Sequence, residues 1–287
     1  MKANFHKLKH PIEEAFYVRK DIRSHFEDKW HFHDMLEMVC IVKGNGERFI
    51  GDSIASFRDG EVVVLGCRLP HVWKSKPEYS ENEVVLQNCV AIVIQFPETF
   101  LGEQFLQLSE AKHIKSLIER AKRGIVFEGE SREILAKKMH GVVKSEGMKR
   151  LIKFLKTLQV AAMANKFELL ASPMFIDAIQ HNDDKINKVY GYVMDHFRED
   201  INLTEVAQFA GMNKSAFCRY FRKCTKKTFS AFLNEVRIGH VCRLIREKGM
   251  PIMEAAYLSG FNSPSYFYKN FKIIKGISPS DYKSAVL

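Results

Sequence analysis

His31, His33 and Glu37 stand in the spacing H-x-H-x3-E. Along a strand, side chains two and four apart share a face, so both imidazoles and the carboxylate would converge on one side. His71 follows in Leu69-Pro70-His71. Three imidazoles and a carboxylate are a sufficient donor set for Zn, Fe, Mn or Ni. The same four groups could instead hydrogen-bond a sugar or an organic acid, or form a satisfied polar core. Trp30 and Trp73 flank the histidines, and Trp73 is a candidate surface against which such a ligand packs. The expected cofactor is a divalent metal at His31, His33, Glu37 and His71, or none. His113, His140, His181, His196 and His240 lie on helical segments without partner spacing and read as structural.

The elements that must position this set read as strands. Short apolar runs (Met38 to Val42, Phe49-Ile50, Val62 to Leu65, Val84 to Leu86, Val90 to Phe96) alternate with turn signals such as Gly44-Asn45-Gly46 and Asp59-Gly60. That spacing predicts an antiparallel sandwich or barrel. After Pro97 the period becomes helical: Ala111 to Lys122, Glu133 to Lys144 and Met148 to Leu170, the last with Leu151, Phe154, Leu155, Leu158 and Ala162 on one stripe. The expected organisation is a barrel over 1–100 and a helical extension over 101–170, which packs on the barrel or on a second copy. A linker over 171–184 and a helical domain over 185–287 follow.

The last third repeats itself. Gly211-Met212-Asn213…Phe217…Phe221-Arg222 answers Gly260-Phe261-Asn262…Phe267…Phe271-Lys272, and Phe229-Ser230-Ala231-Phe232 answers Pro279-Ser280-Asp281-Tyr282. Each copy reads helix, Gly turn, helix. Asn202 and Glu205 have capping-box form and Asn213 can cap the next helix. In the second copy Ser263 caps and Pro264 takes the first helical position. Phe217 and Phe221, four apart, face the core, as do Phe267 and Phe271. Ser215, Cys218, Arg219 and Arg222, and likewise Ser265, Tyr268, Lys269 and Lys272, then face outward. A long helix from Phe229 to Arg246 joins the copies. A helix, short turn and basic second helix is the plan that enters a DNA major groove, and two such helices in successive grooves sit about 34 Å apart.

Charge agrees with that reading. The 287 residues carry a net +10, but residues 185–287 hold 17 Lys+Arg against 8 Asp+Glu, a net of +9; the first 184 hold 27 against 26, a net of +1. A basic domain for a polyanion is thus joined to a near-neutral domain with another task. No apolar run approaches the ~20 residues of a membrane span. The N-terminus has no apolar core after its charges, so no secretory signal is expected. Six cysteines without C-x-x-C spacing read as thiols in a reducing, cytoplasmic compartment.

Residues 185–287 resemble the DNA-binding domain of the AraC/XylS family of bacterial transcription regulators. Leu203-Thr204-Glu205-Val206-Ala207…Gly211-Met212-Asn213…Phe217…Tyr220-Phe221-Arg222 carries the likeness, as does Ala255-Ala256-Tyr257…Gly260-Phe261…Tyr266-Phe267…Phe271-Lys272…Gly276-Ile277-Ser278-Pro279. Pro251 departs from the usual capping residue of the second unit. The resemblance implies two helix-turn-helix units joined by a linker helix, with Ser215, Cys218, Arg219, Ser265, Tyr268 and Lys269 facing bases. Arg219 can donate two hydrogen bonds to a guanine edge and Lys269 can reach one, while Cys218 suits a thymine methyl. Lys214, Arg222, Lys223 and Lys272 suit phosphates.

Residues 20–96 resemble a cupin barrel, a small jelly roll, through Gly44-x-Gly46, Asp59-Gly60-Glu61-Val62 and Leu69-Pro70-His71. That likeness maps metal positions onto His31, His33, Glu37 and His71. Regulator cupins also keep parts of this motif while binding an organic ligand without metal. Together the resemblances imply a cytoplasmic, non-enzymatic regulator. Its expected partners are promoter DNA, a sugar or organic-acid effector, a second copy of itself, and RNA polymerase if it activates. The alternative is a metal-dependent cupin enzyme carrying a DNA-binding tail.

Overall fold

The computed structural model describes residues 4–5, 14–26, 30–75, 78–80, 83–85, 89–180, 184–225 and 227–286. Leu86 of the fourth expected strand run, His181 to Asp183 of the expected linker, and most of the first ten residues lie outside them. The chain divides into two compact units: residues 4–51 with 56–176, and residues 177–287 with 52–55.

The strands are β1 (Asn4–Phe5), β2 (Tyr17–Arg23), β3 (His31–Phe32), β4 (Leu36–Lys43), β5 (Gly46–Ile50), β6 (Ser53–Phe57) and β7 (Val62–Leu65), then β8 (His71–Ser75), β9 (Glu78–Ser80), β10 (Glu83–Val85), β11 (Cys89–Phe96), β12 (Ile125–Phe127) and β13 (Phe167–Leu169). One sheet has the order β13-β12-β7-β4-β11-β2, a second β1-β3-β8-β5-β6, and β9 and β10 form a separate hairpin. Pairing in the six-stranded sheet is antiparallel. In the other, β8 pairs antiparallel with β3 and β5, and β1 joins β3 in parallel.

Strand alternation divides the six-stranded sheet into two faces. Leu36, Met38 and Cys40 of β4, with Ile92, Ile94 and Phe96 of β11, pack with three helices, α1 (Lys112–Ala121), α2 (Gly129–Val143) and α3 (Gly147–Met163). Leu117, Leu135, Met139 and Phe154 are their core residues, and Phe154 stacks on Phe16 at 4.2 Å. The alternate set, Glu37, Val39 and Ile41 with Ala91 and Val93, lines a cavity together with His31 of β3 and Trp73 of β8. The interior between the sheets is therefore where the motif's side chains meet.

Two expectations change in detail. Residues 101–170 are not only helical: β12 and β13 fall within them and extend the six-stranded sheet. Ile125-Val126-Phe127 is too short to display a period. Within 171–184 lies a helix, α4 (Pro173–Gln180), and Asp184 already opens α5 (Asp184–His196). Ser172-Pro173, read as punctuation, is a helix start: Ser172 Oγ accepts from Phe175 N at 3.1 Å, and Pro173 occupies the first helical position.

The second unit continues with α6 (Leu203–Phe209), α7 (Lys214–Thr225), α8 (Phe229–Lys248), α9 (Ile252–Leu258), α10 (Pro264–Lys275) and α11 (Pro279–Val286). The caps follow the sequence. Asn202 Oδ1 accepts from Thr204 N at 2.8 Å, Asn213 Oδ1 from Ala216 N at 2.9 Å, and Ser263 Oγ from Tyr266 N at 3.4 Å. Pro251 supplies no side-chain cap, yet α9 starts directly after it. The amino-terminal half of α8 packs on the first repeat, with Phe229 5.6 Å from Phe217 and 5.5 Å from Phe221. Its carboxy-terminal half, Ile238, Val241, Leu244 and Ile245, shares a core with Ala255, Ala256, Phe261, Phe267 and Phe271 of the second repeat. Both turns use a glycine at positive φ, +69° at Gly211 and +87° at Gly260. Only Gly260 is also hemmed in: a Cβ there would lie 2.7 Å from Phe197 O.

Candidate DNA interface and barrel ligand site

Helical geometry places residues i, i+3, i+4 and i+7 on one face. On α7 that face carries Ser215, Cys218, Arg219 and Arg222; on α10 it carries Ser265, Tyr268, Lys269 and Lys272. All eight are exposed, as are Lys214 and Lys223. Phe217, Phe221, Phe267 and Phe271 are fully buried behind them. The outward stripes are thus free for a partner while the aromatic pairs hold the helices down.

One contact set went unread in the sequence. Asn234 of α8, 4% exposed, donates through Nδ2 to Tyr266 Oη at 2.8 Å and to Asn270 Oδ1 at 3.0 Å. Asn270 Nδ2 in turn donates to Tyr266 O at 2.8 Å. The linker helix is thereby keyed to the first and second turns of α10, beside Ser265, Tyr268 and Lys269.

In the barrel, His31 pairs with His71 across β3 and β8, with ring centroids 4.4 Å apart. Ring nitrogens of His31, His33 and His71 all lie within 4.8 Å of one another. The Nδ1 atom of His33 lies 2.9 Å from Met35 O, and that of His71 2.8 Å from Leu69 O. A carbonyl only accepts, so each Nδ1 is the donor. The Nε2 atoms are then turned toward Glu37, at 3.1 Å for His33 and 3.8 Å for His71. His71 Nε2 is buried without a hydrogen-bond partner. A ring nitrogen so oriented by the bond on its other nitrogen, beside two more imidazoles and a carboxylate, is the arrangement a metal-ligating histidine takes. The residues present fit a divalent metal.

Charge in this cluster is set by burial and by neighbours. Burial by itself would raise the Glu37 carboxyl, but the His33 hydrogen bond and the charges of His71, His33 and Arg19 outweigh it and hold the group well below the usual carboxylate range. Burial, aided by His31, pushes His71 well below its ordinary value against the pull of Glu37. Gln95 donates to Glu37 through Nε2 and accepts from Arg19 Nη1 at 2.7 Å; Arg19 Nε also meets Asp21 at 3.0 Å. Trp73 lines the cavity and edges onto His71 at 5.7 Å, whereas Trp30 is buried in the core. Arg19, Asp21 and Gln95 were not foreseen.

Residues 206–285 match the family model described as a helix-turn-helix domain. The matched residues span most of the duplicated helix-turn-helix plan, α6 to α11. The C-terminal third carries a domain similar to AraC-type helix-turn-helix domains. The AraC-type domain is 33% identical over 102 residues to an uncharacterized HTH-type transcriptional regulator of Staphylococcus aureus, a match that covers 36% of this chain and 14% of that relative. The matched part is thus a small fraction of the Staphylococcus proteins' own length. The uncharacterized HTH-type transcriptional regulator YdeC of Bacillus subtilis is 22% identical over 261 residues, 88% of this chain and 85% of YdeC. Among solved structures, ToxT from Vibrio cholerae O395, bound to (E)-4-(8-methylnaphthalen-1-yl)but-3-enoic acid, is 18% identical with a TM-score of 0.36, covering 95% of this chain and 99% of ToxT. The C-terminal domain of AraT, a response regulator from Geobacillus stearothermophilus, is 24% identical with a TM-score of 0.35, covering 37% of this chain and 88% of that domain. Among the described residues, no helix is long and apolar enough to cross a membrane.

Proposed function

We propose that the chain is a ligand-responsive, sequence-specific transcription regulator that reads promoter DNA with two tandem helix-turn-helix units. The duplicated exposed stripe carries this reading: Ser215, Cys218 and Arg219 on α7 recur as Ser265, Tyr268 and Lys269 on α10. These six face bases. Lys214, Arg222, Lys223 and Lys272 hold phosphates and set register without specifying sequence. A small molecule binds inside the barrel beside His31, His33, Glu37, His71 and Trp73, and those three histidines with Glu37 hold a divalent metal. The metal would supply a Lewis-acidic positive charge; the chain supplies the three imidazoles and the pinned carboxylate. The protein acts in the cytoplasm as a homodimer, and contacts RNA polymerase if its output is activation. A ligand changes DNA affinity only by as much as it distinguishes the DNA-competent arrangement from the other.

The test is a footprint of the full chain on the DNA upstream of its own gene and on a shuffled sequence of equal composition. Protection of the first alone supports the reading; equal protection of both defeats it. The histidine set also favours a second reading, a metal-dependent enzyme with a DNA-binding tail. Turnover of a small organic substrate by the metal-loaded chain would establish that reading instead.

A further inference from the structure

The cavity beside the histidine set measures about 50 Å³. A space of that size takes roughly four water-sized groups, so its occupant is small. Its floor is apolar, made by Val39, Ile41, Ala91 and Val93. Its polar wall holds Arg19 and Arg23 against Asp21 and Glu37, so the described lining is balanced in charge until a metal arrives. A divalent cation then leaves two positive charges uncompensated. One further group is unsatisfied: the indole Nε1 of Trp73 is buried without an acceptor, in a side chain 6% exposed. A buried donor of this kind calls for an acceptor from a ligand.

Each feature removes a class of occupant. A neutral polyol would leave the metal's charge unmet. Inorganic phosphate would meet the charge but has no carbon surface for the valine and alanine floor. A long-chain acid exceeds the space. Resting on the reading that His31, His33, Glu37 and His71 hold a metal, we propose that the barrel's ligand is a short-chain carboxylate of about two to three carbons, bound only when the metal is present. Its anionic end faces the metal set, accepts from Trp73 Nε1 and meets Arg19. Its alkyl end lies on Val39 and Val93.

The experiment is calorimetric titration of the full chain, stripped of metal by a chelator and dialysed. Ni²⁺ alone is titrated first; lactate, propionate and acetate are then titrated into the loaded and the metal-free protein, with lactamide, glycerol and phosphate as comparisons. The expected results are uptake of Ni²⁺, saturable binding of at least one carboxylate to the loaded chain at least about tenfold tighter than to the metal-free chain, and no comparable binding of the three comparison compounds. Trp73→Phe should keep its Ni²⁺ binding and weaken the carboxylate about tenfold, as expected for one charge-assisted hydrogen bond; Arg19→Gln should do the same. Retained Ni²⁺ binding shows that each variant is folded at the site. If Ni²⁺ binds but carboxylates do not, or lactamide binds as well, or both variants leave carboxylate affinity unchanged, the inference falls while the metal reading stands. Carboxylate binding that ignores the metal also overturns it. If Ni²⁺ does not bind, both fall together.

Discussion

One unit of this chain keeps its candidate chemistry inside its core, and the other keeps it on its surface. In the barrel, His33, Glu37 and His71 are buried together, with His33 bonded to Glu37, so the site is part of the core. In the helical unit the core is aromatic, and Arg219, Lys269 and their neighbours stand outside it. A substitution in the first therefore removes function and stability together, whereas one in the second separates them.

The largest expected effect is at Glu37. Removing one member of a buried charged cluster leaves its partners uncompensated, so Glu37→Ala should destabilise the barrel by about 3–5 kcal/mol, measured by urea unfolding. A loss below about 1 kcal/mol would break the contrast. Arg219→Ala should change stability by no more than about 0.5 kcal/mol but weaken specific DNA binding by about 1–3 kcal/mol and relax one base position. Equal losses on specific and random DNA would contradict that role. Lys272→Ala should weaken both kinds of DNA alike and lower the salt slope of log K by about one. The smallest effect is chemical. Cys218 is exposed, whereas Cys40 is buried and its thiol is pushed up to about 11 by that burial. Iodoacetamide at pH 8 should label Cys218 promptly and leave Cys40 unmodified in the folded chain, as peptide mass mapping would show. Prompt labelling of Cys40 would mean that the barrel opens readily.

The same contrast explains what the residues disclosed on their own. Outward chemistry at helical spacing is local: the stripes on α7 and α10, their caps at Asn213 and Ser263, and the aromatic pairs could all be read from neighbours within one or two turns. The H-x-H-x3-E set was legible because it too is local. Arg19 and Gln95 were not, because they reach Glu37 only through the pairing of β2, β11 and β4, and long-range register leaves no mark in a single segment. Strand β2 was further disguised: Arg19, Asp21 and Arg23 line the cavity while Ile22 is exposed, an inversion of the usual alternation. Asn234 carries no local mark because its partners Tyr266 and Asn270 lie more than thirty residues on. The two late strands, β12 and β13, were too short to distinguish from the helices around them.

The central claim is that two repeated helices read two stretches of DNA. Selection of binding sites from random duplex DNA by the full chain, repeated with Arg219→Ala and with Lys269→Ala, tests it most directly. The expected result is a bipartite motif in which Arg219→Ala relaxes one half and Lys269→Ala the other. A single undivided motif, or the same positions relaxed by both substitutions, would contradict it.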